Sequence, residues 1–268
     1  MGGGLALNAV LGPLGFEVIE YHYGESLRNQ GIGLDLVALV VVAPLCIAAG
    51  VLVARQRLAG RVLAFAPAAF TAYMMPQYVI GPDYLGLPGN NENFFALHFA
   101  MFFGAATTFV LAWHTISPEE LALGGARRKG AIGFLLAFSV FMVVALYLPG
   151  LSDALSETPD RAAYVDNPTA FWIVAFLDLA VAGPAALVSG IALRQGAGWA
   201  RKAVYAMAGW FALTPPSVAS MAVVMVRNDD PNASTGQAVA FVAFAVVFLA
   251  FSAWLWKPVL VGRSGPDG

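Results

Sequence analysis

The sequence predicts an all-α, polytopic membrane bundle of about seven transmembrane helices, with its amino terminus outside and its carboxyl terminus inside. Three observations point there. Of the 268 residues, 59% are apolar and only 11% charged. Seven apolar stretches are each long enough to cross a bilayer, and eleven of the fourteen Lys and Arg residues lie on one side of them. A mean hydropathy of +0.74 exceeds what a water-soluble domain buries, so lipid has to act as the solvent.

A hydrocarbon core about 30 Å thick needs about 20 apolar residues per spanning helix, and helical backbone is the one way a single segment satisfies itself in lipid. The first thirty residues precede any such stretch. Leu5 to Phe16 is apolar but short, Glu17 and Glu20 interrupt it, and Pro13 with several glycines argues against one straight helix. Residues 1–30 are therefore expected to be interfacial, re-entrant or a truncated extra helix, and no positive start marks a cleaved signal peptide. The spans follow over 32–54, 60–80, 94–114, 131–150, 169–193, 202–226 and 237–257, with 258–268 as a short cytoplasmic tail. Short loops make 32–257 one seven-helix bundle and 1–268 a single transmembrane domain. Between the third and fourth spans, Ser117, Pro118 and Glu120 spell a capping box, which predicts a short surface helix.

Positive residues are retained on the cytoplasmic side, which fixes the orientation. Arg55, Arg57 and Arg61 follow the first span; Arg127, Arg128 and Lys129 the third; Arg194, Arg201 and Lys202 the fifth; Lys257 and Arg263 the seventh. Arg28, Arg161 and Arg227 lie opposite, among most of the acids. A missed or invented span in mid-chain would destroy this alternation.

Charge near the bilayer centre costs about 2.5–3.5 kcal/mol per residue on insertion scales, so ionisable groups there face the bundle interior and often mark function. Asp178 lies well inside the fifth span, and Ala182, Ala186 and Gly190 follow on its face, a small-residue stripe that suits close helix packing. Asp35 and His98 enter from the same outer side. Tyr73 and Gln77 on the second span and Thr214 and Ser217 on the sixth reach a similar level. These seven residues are the candidates for binding a ligand or proton. Asp178 is expected to be protonated at neutral pH unless His98 or Arg227 pairs with it. Pro215 and Pro216 remove two amide donors and predict a broken sixth helix, with Pro76 and Pro184 disturbing neighbouring levels.

Other chemistries find no support. The last span has no lysine midway for a retinal Schiff base, since Lys257 is at its inner end; His98 and His114 sit at opposite faces, which does not suit haem; Cys46 has no partner cysteine. There is no basic tract for nucleic acid, no phosphate loop and no dinucleotide fingerprint. No cofactor is expected.

The segment Gly33, Leu34, Asp35, Leu36, Val37 leading to Pro44, with Leu177, Asp178, Leu179, Pro184, Leu193, Arg194 and Trp199 later, resembles a family of uncharacterised multi-pass membrane proteins of bacteria and archaea. The resemblance implies that Asp35 and Asp178 belong to a shared architecture, that an additional helix precedes the first motif, and that the chain resides in a bacterial or archaeal cell membrane. It brings no activity with it.

The leading functional reading is proton- or cation-linked binding or transport of a small solute through an outward-facing intramembrane polar site. Its partners would be the lipid bilayer, a small solute, and a proton or cation, with other membrane proteins or a second copy as further candidates and nucleic acid excluded. No convincing internal repeat supports it, and seven spans do not halve evenly. The alternatives are an accessory or sensory membrane subunit without catalysis, and a membrane-embedded metal-dependent enzyme, which is less favoured because its ligands lack a tight motif spacing.

Overall fold

The computed structural model describes residues 1–121 and 123–262. Helices dominate it, and among the described residues there is no strand. A half-length helix, α1 (Gly2–Leu11), is followed by seven helices long and apolar enough to span a membrane. These are α2 (Glu25–Ala54), α3 (Leu58–Ile80), α4 (Asn91–Thr115), α5 (Gly125–Ala154), α6 (Pro168–Gln195), α7 (Trp199–Arg227) and α8 (Thr235–Val261). Large apolar side chains cover the outside: Val40, Phe103, Phe176 and Val246 are 62, 63, 63 and 61% exposed. Water would not tolerate that surface and acyl chains do, so the protein is an integral, multi-pass membrane protein.

α7 is the central helix, packed against α2, α3, α6 and α8. Glycines set two of its approaches. A Cβ on Gly209 would come within 2.9 Å of Ala66 Cα on α3, and one on Gly33 of α2 within 2.5 Å of Met221 Cα. Such contacts bring backbones close enough for dispersion to hold helices together in lipid. The small-residue face of α6 behaves as expected: Ala182, Ala186 and Gly190 are buried, and Gly190 abuts Leu136 of α5.

Several expectations change. The spans run longer than their apolar cores; α2 starts at Glu25 and not at 32, because the polar segment from Glu25 to Gly31 continues the helix above the apolar stretch. α8 continues through Pro258 to Val261, so the tail is shorter than 258–268, and Arg263 lies outside the described residues. Residues 1–30 contain the short helix α1. Its start contacts Cys46 and its end approaches Asp35, so it stands antiparallel to α2 inside the bundle. Ten residues at about 1.5 Å each give it roughly half the thickness of a bilayer core. At Ser117 the capping contact from the Ser117 N–H to Glu120 forms (2.8 Å), but the helix it starts is a single 3₁₀ turn, Pro118–Glu120.

The backbone irregularity also falls elsewhere than expected. α7 stays helical through Pro215 and Pro216, held by neighbours on four sides. Widened π turns occur instead at Ala38–Val42 in α2, Met142–Tyr147 in α5 and Asp178–Ala182 in α6. Each ends two residues before a proline: Pro44, Pro149 and Pro184. Proline supplies no N–H and its ring crowds the preceding turn, so the carbonyls there bond one residue further along. Ala43 N–H to Ala38 O, Leu148 N–H to Val143 O and Gly183 N–H to Asp178 O are such five-residue bonds.

Candidate functional site

The polar residues of the interior form two separate clusters. The first gathers around Asp35, 1% exposed, three residues before the π turn of α2. Its Oδ1 accepts from the Tyr78 hydroxyl of α3 at 2.8 Å and, at 3.5 Å, from Asn8 Nδ2 of α1. Asn8 Oδ1 in turn lies 3.0 Å from the Tyr21 hydroxyl and 3.0 Å from His98 Nε2 of α4. An amide oxygen only accepts, so His98 is the tautomer that donates from Nε2. The Tyr78 and His98 rings are parallel at 5.9 Å, and Tyr21 tilts over Tyr78 at 4.9 Å. Burial, with the Asp35 carboxyl group beside it, holds the Tyr21 phenol well above its ordinary value, so its hydroxyl remains a donor.

Two atoms of this cluster have no partner: Asp35 Oδ2 and His98 Nδ1. A Cβ on Gly12 would sit 3.0 Å from that same buried Oδ2, so glycine lets the chain pass close over the carboxyl group where any other residue would press on it. Orphaned buried polar atoms are uncommon and costly. Here an acid oxygen and an imidazole nitrogen of one network are both left over.

The second cluster surrounds Asp178 at the first residue of the π turn of α6. Its two oxygens are shared out: Tyr73 of α3 approaches Oδ1 at 2.5 Å and Tyr147 of α5 approaches Oδ2 at 2.5 Å. Asp178 is 7% and Tyr147 8% exposed, and Trp210 of α7 stands edge-on to Tyr73 at 5.4 Å. Three helices thus meet on one carboxyl group. Neither His98 nor Arg227 pairs with it; the ion pairs found among the described residues are His22–Glu92, Arg28–Glu17 and Arg61–Glu120, all away from both clusters' acids.

The seven residues expected from sequence are therefore divided. Asp35 and His98 are joined through Asn8, and Asp178 is joined to Tyr73. Gln77 bonds its own helix, from Nε2 to the Tyr73 carbonyl at 3.1 Å. Ser217 bonds the Leu213 carbonyl at 2.9 Å, and Thr214 Oγ1 is buried without a partner. None of these three reaches either acid. In place of one outward-facing site there are two largely buried clusters, linked through α3, which carries Tyr73 and Tyr78, and through Tyr23, which stacks on Tyr21 at 5.2 Å and donates to Gln77 O at 3.3 Å. Five residues apart, Tyr73 and Tyr78 are about 7.5 Å apart along the axis and well over a third of a turn around it, so they serve acids on different sides. Asn8, Tyr21, Tyr78 and Tyr147 were missed by sequence. Tyr147 had a signal, since it precedes Pro149 by two residues; Asn8, the one strongly polar side chain in an apolar decapeptide, had another.

Among the described residues, no three His, Cys, Asp or Glu side chains gather as a metal would require. The apolar grooves on the surface, one lined by Ile80, Trp172 and Phe176 and one by Phe109 and Trp113, contain no member of either cluster. Compared with known proteins, the chain matches no family model, no curated protein and no solved structure.

Proposed function

We propose that this membrane protein takes up and releases protons at Asp35 and Asp178 and links that exchange to the binding or passage of a small solute. The observation that carries the reading is a pair of intramembrane carboxyl groups, 1% and 7% exposed, with hydroxyl and amide neighbours and no cation. Intramembrane acids are costly and rare, and by default they mark function. An ionised Asp178 accepts from both tyrosines, whereas a protonated one carries a hydrogen of its own that it can donate to one of them. The two states favour different hydroxyl arrangements across α3, α5 and α6, which ties protonation to helix packing. π turns beside both acids support the same reading, since such turns concentrate at functional sites. The donor sets suit a proton better than a metal ion, and the metal-dependent enzyme gains nothing from them. We further propose a bacterial or archaeal cell membrane for the chain, on the resemblance of its Asp35 and Asp178 motifs alone.

The test is an acid jump outside proteoliposomes that hold a pH-sensitive dye, with the membrane potential clamped. Wild type should acidify the lumen faster than Asp35→Asn or Asp178→Asn. Flux equal to that of protein-free liposomes, together with carboxyl infrared bands that do not respond between about pH 4 and 9, would reject proton exchange. The buried packing of both clusters favours a second reading, an accessory or sensory subunit. Infrared bands that titrate without any flux would select it.

A further inference from the structure

We propose that residues 18–23 form a pH-sensitive strap closing the outer side of the Asp35 cluster, pinned by a charged His22 and released when His22 loses a proton. The strap contributes Tyr21, whose hydroxyl is 3.0 Å from Asn8 Oδ1 and whose ring covers Tyr78. It is fastened to the connection between α3 and α4 on both sides of His22. Asn90 accepts from the Glu20 N–H at 2.9 Å and donates to Val18 O at 3.1 Å, while Asn90 N–H reaches Glu20 O at 2.8 Å. Asp83 N–H donates to His22 O at 2.9 Å.

The titrating fastener is the His22 ring. Nδ1 lies 2.5 Å from Leu87 O and Nε2 lies 2.9 Å from Glu92 Oε2. A carbonyl oxygen and an ionised carboxylate both only accept, so both ring nitrogens must carry hydrogen, which makes the pinned ring an imidazolium. A neutral ring keeps one N–H and turns a lone pair on the other acceptor. The groups facing the ring are Glu92 at the start of α4, and Asp83 and Tyr84 in the connection, with Tyr84 at 5.1 Å between ring centres. Gly89 is pressed against it so closely that a Cβ there would fall 2.8 Å from the ring. Burial works against the charge, but the Leu87 carbonyl and Glu92 outweigh it and raise His22 above its ordinary value. Pinning is therefore complete below the unfolded histidine value of about 6.5 and is lost as pH rises through the higher folded value.

That the strap guards an entrance rests on the proton-exchange reading; its pH dependence does not. Hydrogen–deuterium exchange on the full chain in nanodiscs, from about pH 6 to 9 with times scaled for intrinsic exchange, tests it directly. Protection of peptides covering 12–24 and 81–92 should fall by about tenfold, as expected for losing one charge-assisted hydrogen bond. His22→Gln should show the low protection throughout, without a step. Constant protection in wild type, or a step that survives in His22→Gln, overturns the proposal. If His22→Gln does not assemble, Glu92→Gln decides: a step moved to lower pH supports the strap and an unmoved one overturns it. A wild-type step without proton flux would keep the strap and reject proton exchange, so the two fail separately.

Discussion

Removing one tyrosine hydroxyl from the Asp178 cluster probes its energetics most directly. Tyr147→Phe deletes the donor 2.5 Å from Oδ2 and keeps the ring, in a site where Asp178 is 7% and Tyr147 8% exposed. In water-soluble proteins a buried acceptor left unpaired costs about 1–3 kcal/mol. Between membrane helices the average is smaller, about 0.6 with a maximum near 1.7 kcal/mol, because separated helices find other partners. The cluster is largely buried and its bonds are short, so either Tyr147→Phe or Tyr73→Phe should cost about 1.5 kcal/mol, near the top of that range. The double variant should exceed the sum, since the carboxyl group then has no donor at all. Adding Asp178→Leu should recover most of the loss by removing the orphan itself. Equilibrium unfolding in mixed SDS micelles, followed by tryptophan fluorescence with Trp210 beside Tyr73 as one reporter, measures all four. Single variants within about 0.3 kcal/mol of wild type, below what such a bond supplies, or a triple variant less stable than the double, would refute the reasoning.

Two more expectations use the same assay. Gly33→Ala places a Cβ 2.5 Å from Met221 Cα and should cost about 1–3 kcal/mol as overpacking, whereas Gly31→Ala, with nothing within 4 Å, should gain up to about 1 kcal/mol of helix propensity; equal effects would show that the α2–α7 approach is not tight. Asp230 is buried, which opposes its charge, yet donors from Asn29, Ser26 and the Asn232 backbone hold it below the ordinary carboxylate value. Its contribution is full above an unfolded value near about 3.9 and vanishes as pH falls through the folded one. Asp230→Asn should therefore destabilise the protein at neutral pH and converge with wild type in acid, and parallel profiles would count against this.

The site was half legible. Asp178 could be placed on a packed face because Ala182, Ala186 and Gly190 repeat at helical spacing, a local property. That its partners are Tyr73 and Tyr147 depends on how α3 and α5 rotate against α6, and no spacing within one helix encodes that. Asp35 and His98 were both singled out from sequence, but the residue joining them, Asn8, lies in a decapeptide too short to count as a span. Thr214, Ser217 and Gln77 were grouped with the acids by position along their helices, but none of them turns toward an acid, since position along a helix follows from sequence and azimuth does not. Pro215 and Pro216 promised a break that four surrounding helices suppress, while Pro44, Pro149 and Pro184 each widen the turn before them.

What the sequence determined by itself was solvent and number of crossings: hydrophobic length is summed over single segments, and lipid reads them one at a time. What only the tertiary structure decided was company: that two acids keep apart, that a half-length helix supplies an amide to one of them, and that tyrosines close both. Those outcomes depend on distances between helices, which arise from the packing of side chains far apart in the chain and are fixed only when every helix has found its neighbours.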